Sequence, residues 1–202
     1  MKYAAIGCVV VLLLGALIVG GSGVGAYNSL VQLDQAVQAQ WGQVQNVYQR
    51  RNDLVPNLVE TVKGAANFEK DTFTQVAEAR AKVGQVSSQV AGAAPTSQEA
   101  LDKFQQAQAN LGGALGRLMV VVEKYPELKA TQNFRDLQAQ IEGTENRIAV
   151  ERMRFNEAAQ AFNTKRQSFP TVMIAGFFGS RFDVKPYFKA QEGAETAPKV
   201  KF

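Results

Sequence analysis

Arg50, Arg51, Asp53 and Glu60, gathered around Pro56, are the best candidates for chemistry in this chain. Arginines beside carboxylates can grip an anionic ligand or the charges of a partner. The competing reading is a set of ion pairs within and between helices, which helical bundles use routinely, and it is the favoured one. Pro56 interrupts the local helix pattern and frees backbone groups, though a packing kink accounts for it equally well. Further along, Glu142, Glu145 and Glu151 alternate with Arg147, Arg152 and Arg154. Spacings of three and four between opposite charges are the dress of a solvated helix face. Arg50, Arg51, Asp53 and Pro56, together with Phe177 and Phe178 in the tail, are therefore candidates for partner binding rather than for catalysis.

The residues that are missing narrow the chemistry further. With no histidine in the sequence, a Ser-His-Asp triad, a Cys-His pair and an imidazole-ligated metal are all excluded. Cys8 is the only cysteine and lies inside an apolar run, so no intramolecular disulfide forms and the rest of the chain has no thiol nucleophile. Carboxylate-bridged metal sites in helical bundles pair glutamates with Glu-x-x-His, which a histidine-free chain lacks. No Gly-rich phosphate loop precedes a helix. These absences predict a non-enzymatic protein with no cofactor and no metal; a carboxylate-dependent hydrolase is the least favoured reading. The net charge of +4 is spread along the chain rather than collected into a basic run, so no nucleic-acid partner is expected.

The elements that position these residues begin with an uncharged stretch from Tyr3 to Leu33, densest in apolar residues from Ile6 to Val19. A helix over residues 3–26 would be about 36 Å long, enough to cross a bilayer and contact lipid throughout. Residues 1–26 are thus expected to be an uncleaved transmembrane signal-anchor helix. Lys2 precedes it and Asp34 is the first charge after it, which puts the N-terminus in the cytoplasm and the bulk of the chain outside. A cleaved signal peptide ending near Gly23, Gly25 and Ala26 is disfavoured because the apolar stretch is too long and runs on into a helix. Lipidation at Cys8 is disfavoured because too little apolar sequence precedes it.

Residues 27–168 predict an antiparallel, four-helix-type bundle, so the fold class is all-α, with the membrane helix running on into the bundle. The first seam is Leu30, Leu33, Val37, Val44, Val47, Leu54 and Leu58, flanked by Trp41, with a kink or break at Pro56. A shorter helix follows Asn67, carrying Phe73, Val76, Arg80 and Val83 on one face. Residues 87–97 read as a loop, after which Thr96 and Glu99 have capping-box spacing. The third seam is Leu101, Phe104, Leu111, Leu115, Leu118 and Val122, ended by Tyr125-Pro126. Gly112, Gly113 and Gly116 inside it are best explained by close helix packing, with a hinge as the alternative. The fourth seam runs Phe134, Leu137, Ile141, Ile148, Phe155, Ala158 and Phe162, closed by Ser168-Phe169-Pro170.

Residues 169–202 form a tail of another kind. Phe169 to Phe188 is rich in large apolar side chains but broken by Gly176, Gly179 and Pro186, and is too short to span a bilayer. It either folds back over the bundle or presents an apolar strip to lipid, another subunit or a partner. Residues 191–202 are expected to be flexible.

Several runs in this sequence resemble the LemA family. They are Tyr27-Asn28, the stretch Tyr48-Gln49-Arg50-Arg51-Asn52-Asp53-Leu54-Val55-Pro56-Asn57-Leu58-Val59, Phe162-Asn163 with Phe169-Pro170, and Tyr187-Phe188-Lys189-Ala190. The resemblance covers almost the whole chain. It implies a bacterial inner-membrane protein with one N-terminal span and a four-helix-type domain. The family also looks similar to a magnetosome membrane protein, which implies a role in organising membrane. It supplies no catalytic residues. The function expected is a membrane-anchored scaffold that self-associates as a homo-oligomer, with an adaptor for another membrane protein, such as a protease, as the alternative.

Overall fold

The computed structural model describes residues 2–64 and 70–190, with side chains at 13, 14 and from 21 onward. Residues 191–202, where flexibility was expected, lie outside this range. The described elements are helical: α1 (Lys2–Lys63), α2 (Lys70–Gln89), α3 (Gln98–Val122), a short α4 (Pro126–Lys129), α5 (Gln132–Gln167), α6 (Thr171–Phe177) and a 3-10 turn (Gly179–Phe182).

The four long helices alternate in direction. Trp41 and Asn52 of α1 meet Val90 and Arg80 of α2, in reverse order along the chain. Arg51 reaches forward to Gln108 of α3 and across to Glu145 of α5. Leu30, Val37, Trp41, Val44 and Tyr48 share one apolar cluster with Phe104, Ile148, Phe155 and Phe162. Val55, Leu58 and Val62 share a second with Leu111, Leu118 and Phe134. The buried stripe of α1 recurs at alternating steps of three and four, the pattern that keeps one helix face against its neighbours. Trp41, expected to flank this stripe, lies at its centre. Its ring meets Phe104 at 5.2 Å and Phe155 at 5.7 Å, and its indole N–H donates to the Val90 carbonyl at 3.2 Å. Burying the indole polar group therefore leaves no unmet donor.

Four expectations are corrected. The helix does not break at Pro56, because α1 runs through it to Lys63. Val55, Leu58 and Val62 are buried on the same face, so packing on both sides of the proline holds the helix despite the lost hydrogen bond. The third helix is capped by Ser97, not Thr96: Ser97 is extended and its hydroxyl accepts from the Ala100 amide at 3.2 Å. Glu99 pairs forward with Lys103 at 2.6 Å instead of reaching back. The loop is also shorter than expected, since α2 persists to Gln89. On the second helix Arg80 lies exposed, away from the buried Phe73, Val76 and Val83, and donates to the Asn52 carbonyl.

Among the described residues, no helix is long and apolar enough to cross a membrane. The side chains at 3–12 and 15–20, which would make up most of the expected span, lie outside the described set. The backbone of α1 is nevertheless one helix of 62 residues.

Pro56→Ala restores a hydrogen bond and a better helix former inside a helix that already has its final path. It is expected to raise unfolding stability by about 1–2 kcal/mol, read as a higher urea midpoint at unchanged slope.

Candidate interaction site

The four charged residues predicted around Pro56 do not converge, because only Arg51 is in phase with the buried stripe. It follows Tyr48 by three and precedes Val55 by four, and just 4% of it is exposed. Arg50, Asp53 and Glu60 point outward; Asp53 accepts from Gln49 and Glu60 pairs with Lys63. The intrahelical ion-pair reading therefore holds for Glu60, and no anion-gripping cluster forms there.

Arg51 spreads its guanidinium over two helices. Nη1 donates to Glu145 Oε1 at 2.9 Å, and Nη2 donates both to the Gln108 carbonyl at 3.0 Å and to the Gln108 side-chain oxygen. The cation also lies 5.2 Å from the centre of the Tyr48 ring. Gln108 and Glu145 were absent from the predicted constellation. Gln108 was legible in principle: it sits in phase between Phe104 and Leu111, where a polar residue marks an interruption of the stripe. Tyr48 is held neutral by this setting. Burial pushes its phenol above the ordinary 10.0, and Glu145 adds to the shift, while Arg152 and Arg51 partly oppose it.

These residues line part of an open groove of about 930 Å³ between α3 and α5. Gly112, Gly113 and Gly116 form its floor, and no helix packs on them. A Cβ at Gly116 would meet nothing within 4 Å, and one at Gly112 only the tip of Arg51 at 4.0 Å. Close packing within the chain is thus not their explanation, and α3 shows no interruption that would make them a hinge. No group of three or more acidic, thiol or imidazole side chains among the described residues could hold a metal ion.

One end of the groove is filled by the chain's own tail. The extended backbone after the 3-10 turn is held by three side-chain amides, each pairing with one residue as a second strand would. Asn163 donates to the Lys185 carbonyl and accepts from its amide, at 2.9 and 2.8 Å. Gln98 treats Tyr187 the same way at 3.0 and 3.2 Å, and Asn156 treats Phe188 so at 2.9 and 2.8 Å. Phe188 then inserts between Trp41 and Phe155. Lys185 is buried on Asp34, and Lys189 reaches Asp102 at 2.9 Å. The hydrogen bond from Lys189, helped by Gln98, holds the Asp102 carboxyl below its ordinary value.

The two readings of the tail divide it between them. Phe182, Lys185, Pro186 and Phe188 fold back and are buried, whereas α6 and the residue before its cap carry exposed apolar side chains: Phe169 is 81% exposed, Met173 67% and Phe177 85%. Of the two phenylalanines predicted to bind a partner, Phe177 stands largely exposed with its ring edge-on to Phe178 at 5.4 Å, and Phe178 packs on Tyr27 at 4.8 Å between ring centres.

A family model described as the LemA family matches residues 40–202. Among curated proteins, Magnetosome protein MamQ 2 of Paramagnetospirillum magneticum is 27% identical over 186 residues, covering 84% of this chain and 67% of the relative. Magnetosome protein MamQ of Magnetospirillum gryphiswaldense is 28% identical over 170 residues, covering 75% and 62%. Protein LemA of Metamycoplasma hominis is 24% identical over 154 residues, covering 75% and 64%. The chain spans about two thirds of the length of these relatives.

Two measurements check the polar layer. Arg51→Lys keeps the charge but loses the two-pronged donor, leaving buried Gln108 acceptors unmet; it is expected to cost about 1–3 kcal/mol in urea unfolding. Glu145 is partly exposed and solvent screens it, so Glu145→Gln, which keeps an acceptor, is expected to cost less than about 1 kcal/mol. The pH dependence follows from Tyr48. A raised pKa in the folded state gives stability that is complete below pH 10 and is lost as pH climbs through the raised value. Thermal unfolding between pH 9 and 11.5 should show this alkaline loss, and Tyr48→Phe should flatten it.

Proposed function

The chain belongs to the LemA family, and from that premise we propose that it is a non-enzymatic, membrane-anchored helical scaffold whose copies associate at a bacterial cell membrane. The observation that carries this reading is α1. One helix joins the uncharged N-terminal stretch to the bundle core, and Leu13 and Leu14 on it are more than half exposed. Apolar side chains projecting from a helix beyond the bundle call for a covering medium, and lipid around residues 3–26 supplies it. On this reading the protein crosses the membrane once, and the bundle lies on the extracytoplasmic side. The open groove supports association, since it offers a concave surface lined by both charged and small residues, on which a second copy could seat. Two relatives carry the name magnetosome protein, which favours a part in a larger assembly.

A second reading, the adaptor, has its own support. The bundle already holds an extended segment by paired side-chain amides, the chemistry that would present or capture a peptide of another membrane protein. Cross-linking in native membranes, followed by mass spectrometry, separates the two. A ladder of multiples of this chain is expected for the scaffold. One other protein in fixed proportion would replace it with the adaptor. Release of the chain from membranes by alkaline carbonate would remove the anchor from either reading.

A further inference from the structure

Met173 and Phe177 stand one turn apart on one side of α6, and Phe169, two residues before the helix begins, is exposed as well. The opposite side is fully engaged. Thr171 and Ala175 are buried, and Ile174 Cδ1 comes within 3.6 Å of where a Cβ on Gly23 would stand. The exposed side therefore belongs to a helix that is packed on its other side. Its position is informative too. α6 packs on α1 at Gly23 and Tyr27, the stretch where the expected span ends.

That placement selects the occupant. On α1 itself Leu13, Leu14 and Val24 are exposed, so both helices carry bare apolar side chains. From Leu14 to Gly23 is roughly 14 Å along a helix axis, well within half a bilayer. A medium that covers Leu13 and Leu14 thus reaches the level of Phe177. Arg181 lies exposed at the same level, 5.4 Å from the Tyr27 ring and 5.6 Å from that of Phe182. Aromatic rings with a guanidinium beside them suit the depth at which acyl chains give way to headgroups.

We propose that Phe169, Met173 and Phe177 form a membrane-docking face that seats in the headgroup–acyl boundary of a phospholipid bilayer, beside the point where α1 leaves it. This rests on the anchored reading above and adds a second contact, which braces the base of the bundle at the surface where α1 leaves the bilayer. An amphipathic segment placed this way enters the boundary by about 5–10 Å.

Tryptophan substitutions test the docking face in the full chain, reconstituted in phosphatidylcholine–phosphatidylglycerol vesicles. Phe177→Trp and Phe169→Trp are made separately, and Leu13→Trp reports on the anchor. The unsubstituted chain, whose only tryptophan is the buried Trp41, serves as the blank. Lipids brominated high on the acyl chain should quench Phe177→Trp and Phe169→Trp by about half or more, and aqueous iodide should quench them little. Leu13→Trp should respond best to deep bromines. If the anchor residue is quenched by lipid but neither α6 residue is, the docking proposal is overturned and the anchor stands. Shielding of the α6 residues from iodide in that case assigns the face to a second copy of the chain. If the α6 residues are quenched and Leu13→Trp is not, the docking face stands while the anchored reading falls. Loss of lipid quenching at all three positions overturns both.

Discussion

A buried guanidinium divides this bundle. Arg51 stands in the inward stripe of α1 between Tyr48 and Val55, and the apolar interior falls into two clusters on either side of it. Taking a cation out of water is costly, and it is tolerable only where geometry and hydrogen bonds compensate. Here the compensation comes from two other helices at once: a backbone carbonyl and an amide of Gln108 on α3, and the carboxylate of Glu145 on α5. A purely apolar stripe would let helices slide by a turn with little loss. The fork meets its acceptors at one relative height only, so it sets the register of three helices together, as a polar residue inside an apolar stripe does in a coiled coil.

The tail imposes the second constraint, again through polar pairing. An extended segment laid against helices has no neighbouring strand, so its amides and carbonyls need partners from side chains. Asn163, Gln98 and Asn156 provide them in reciprocal pairs, and Lys185 meets Asp34. With those groups satisfied, Phe182 and Phe188 can enter the core that Trp41 and Phe155 begin. The same arrangement turns α6 back toward Gly23 and Tyr27, which leaves its apolar side facing outward.

Much of this was legible in the sequence. Leu30, Val37, Val44 and Leu58, Leu101 to Val122, and Phe134 to Phe162 marked the helices, because burial of one face imposes its period on the residues. The Pro56 break was misread because a local preference was weighed without the packing of Val55, Leu58 and Val62, which outweighs it. The cap moved by one residue because Thr96 and Ser97 are both competent, and only the backbone angles decide between them. The site was half legible. Arg51 was named, yet grouped with its sequence neighbours Arg50 and Asp53, which a helix turns to other sides. Its true partners are 57 and 94 residues away. Contacts at that range depend on how the helices are arranged in space, and no local pattern carries them. The amide pairs along the tail were invisible for the same reason.

The unbroken course of α1 has a geometric consequence of its own. A helix advances 1.5 Å and turns about 100° with each residue, so the azimuth of one end fixes that of the other. Nothing between Val24 and Trp41 interrupts that phase, and the groove between α3 and α5 is keyed to it through Arg51. The compass direction in which the groove opens is therefore dictated by how residues 13–26 are rotated, much as a key's blade follows its bow. A ring of such chains, each held the same way at its N-terminal end, would have every groove pointing along the same handed path around it.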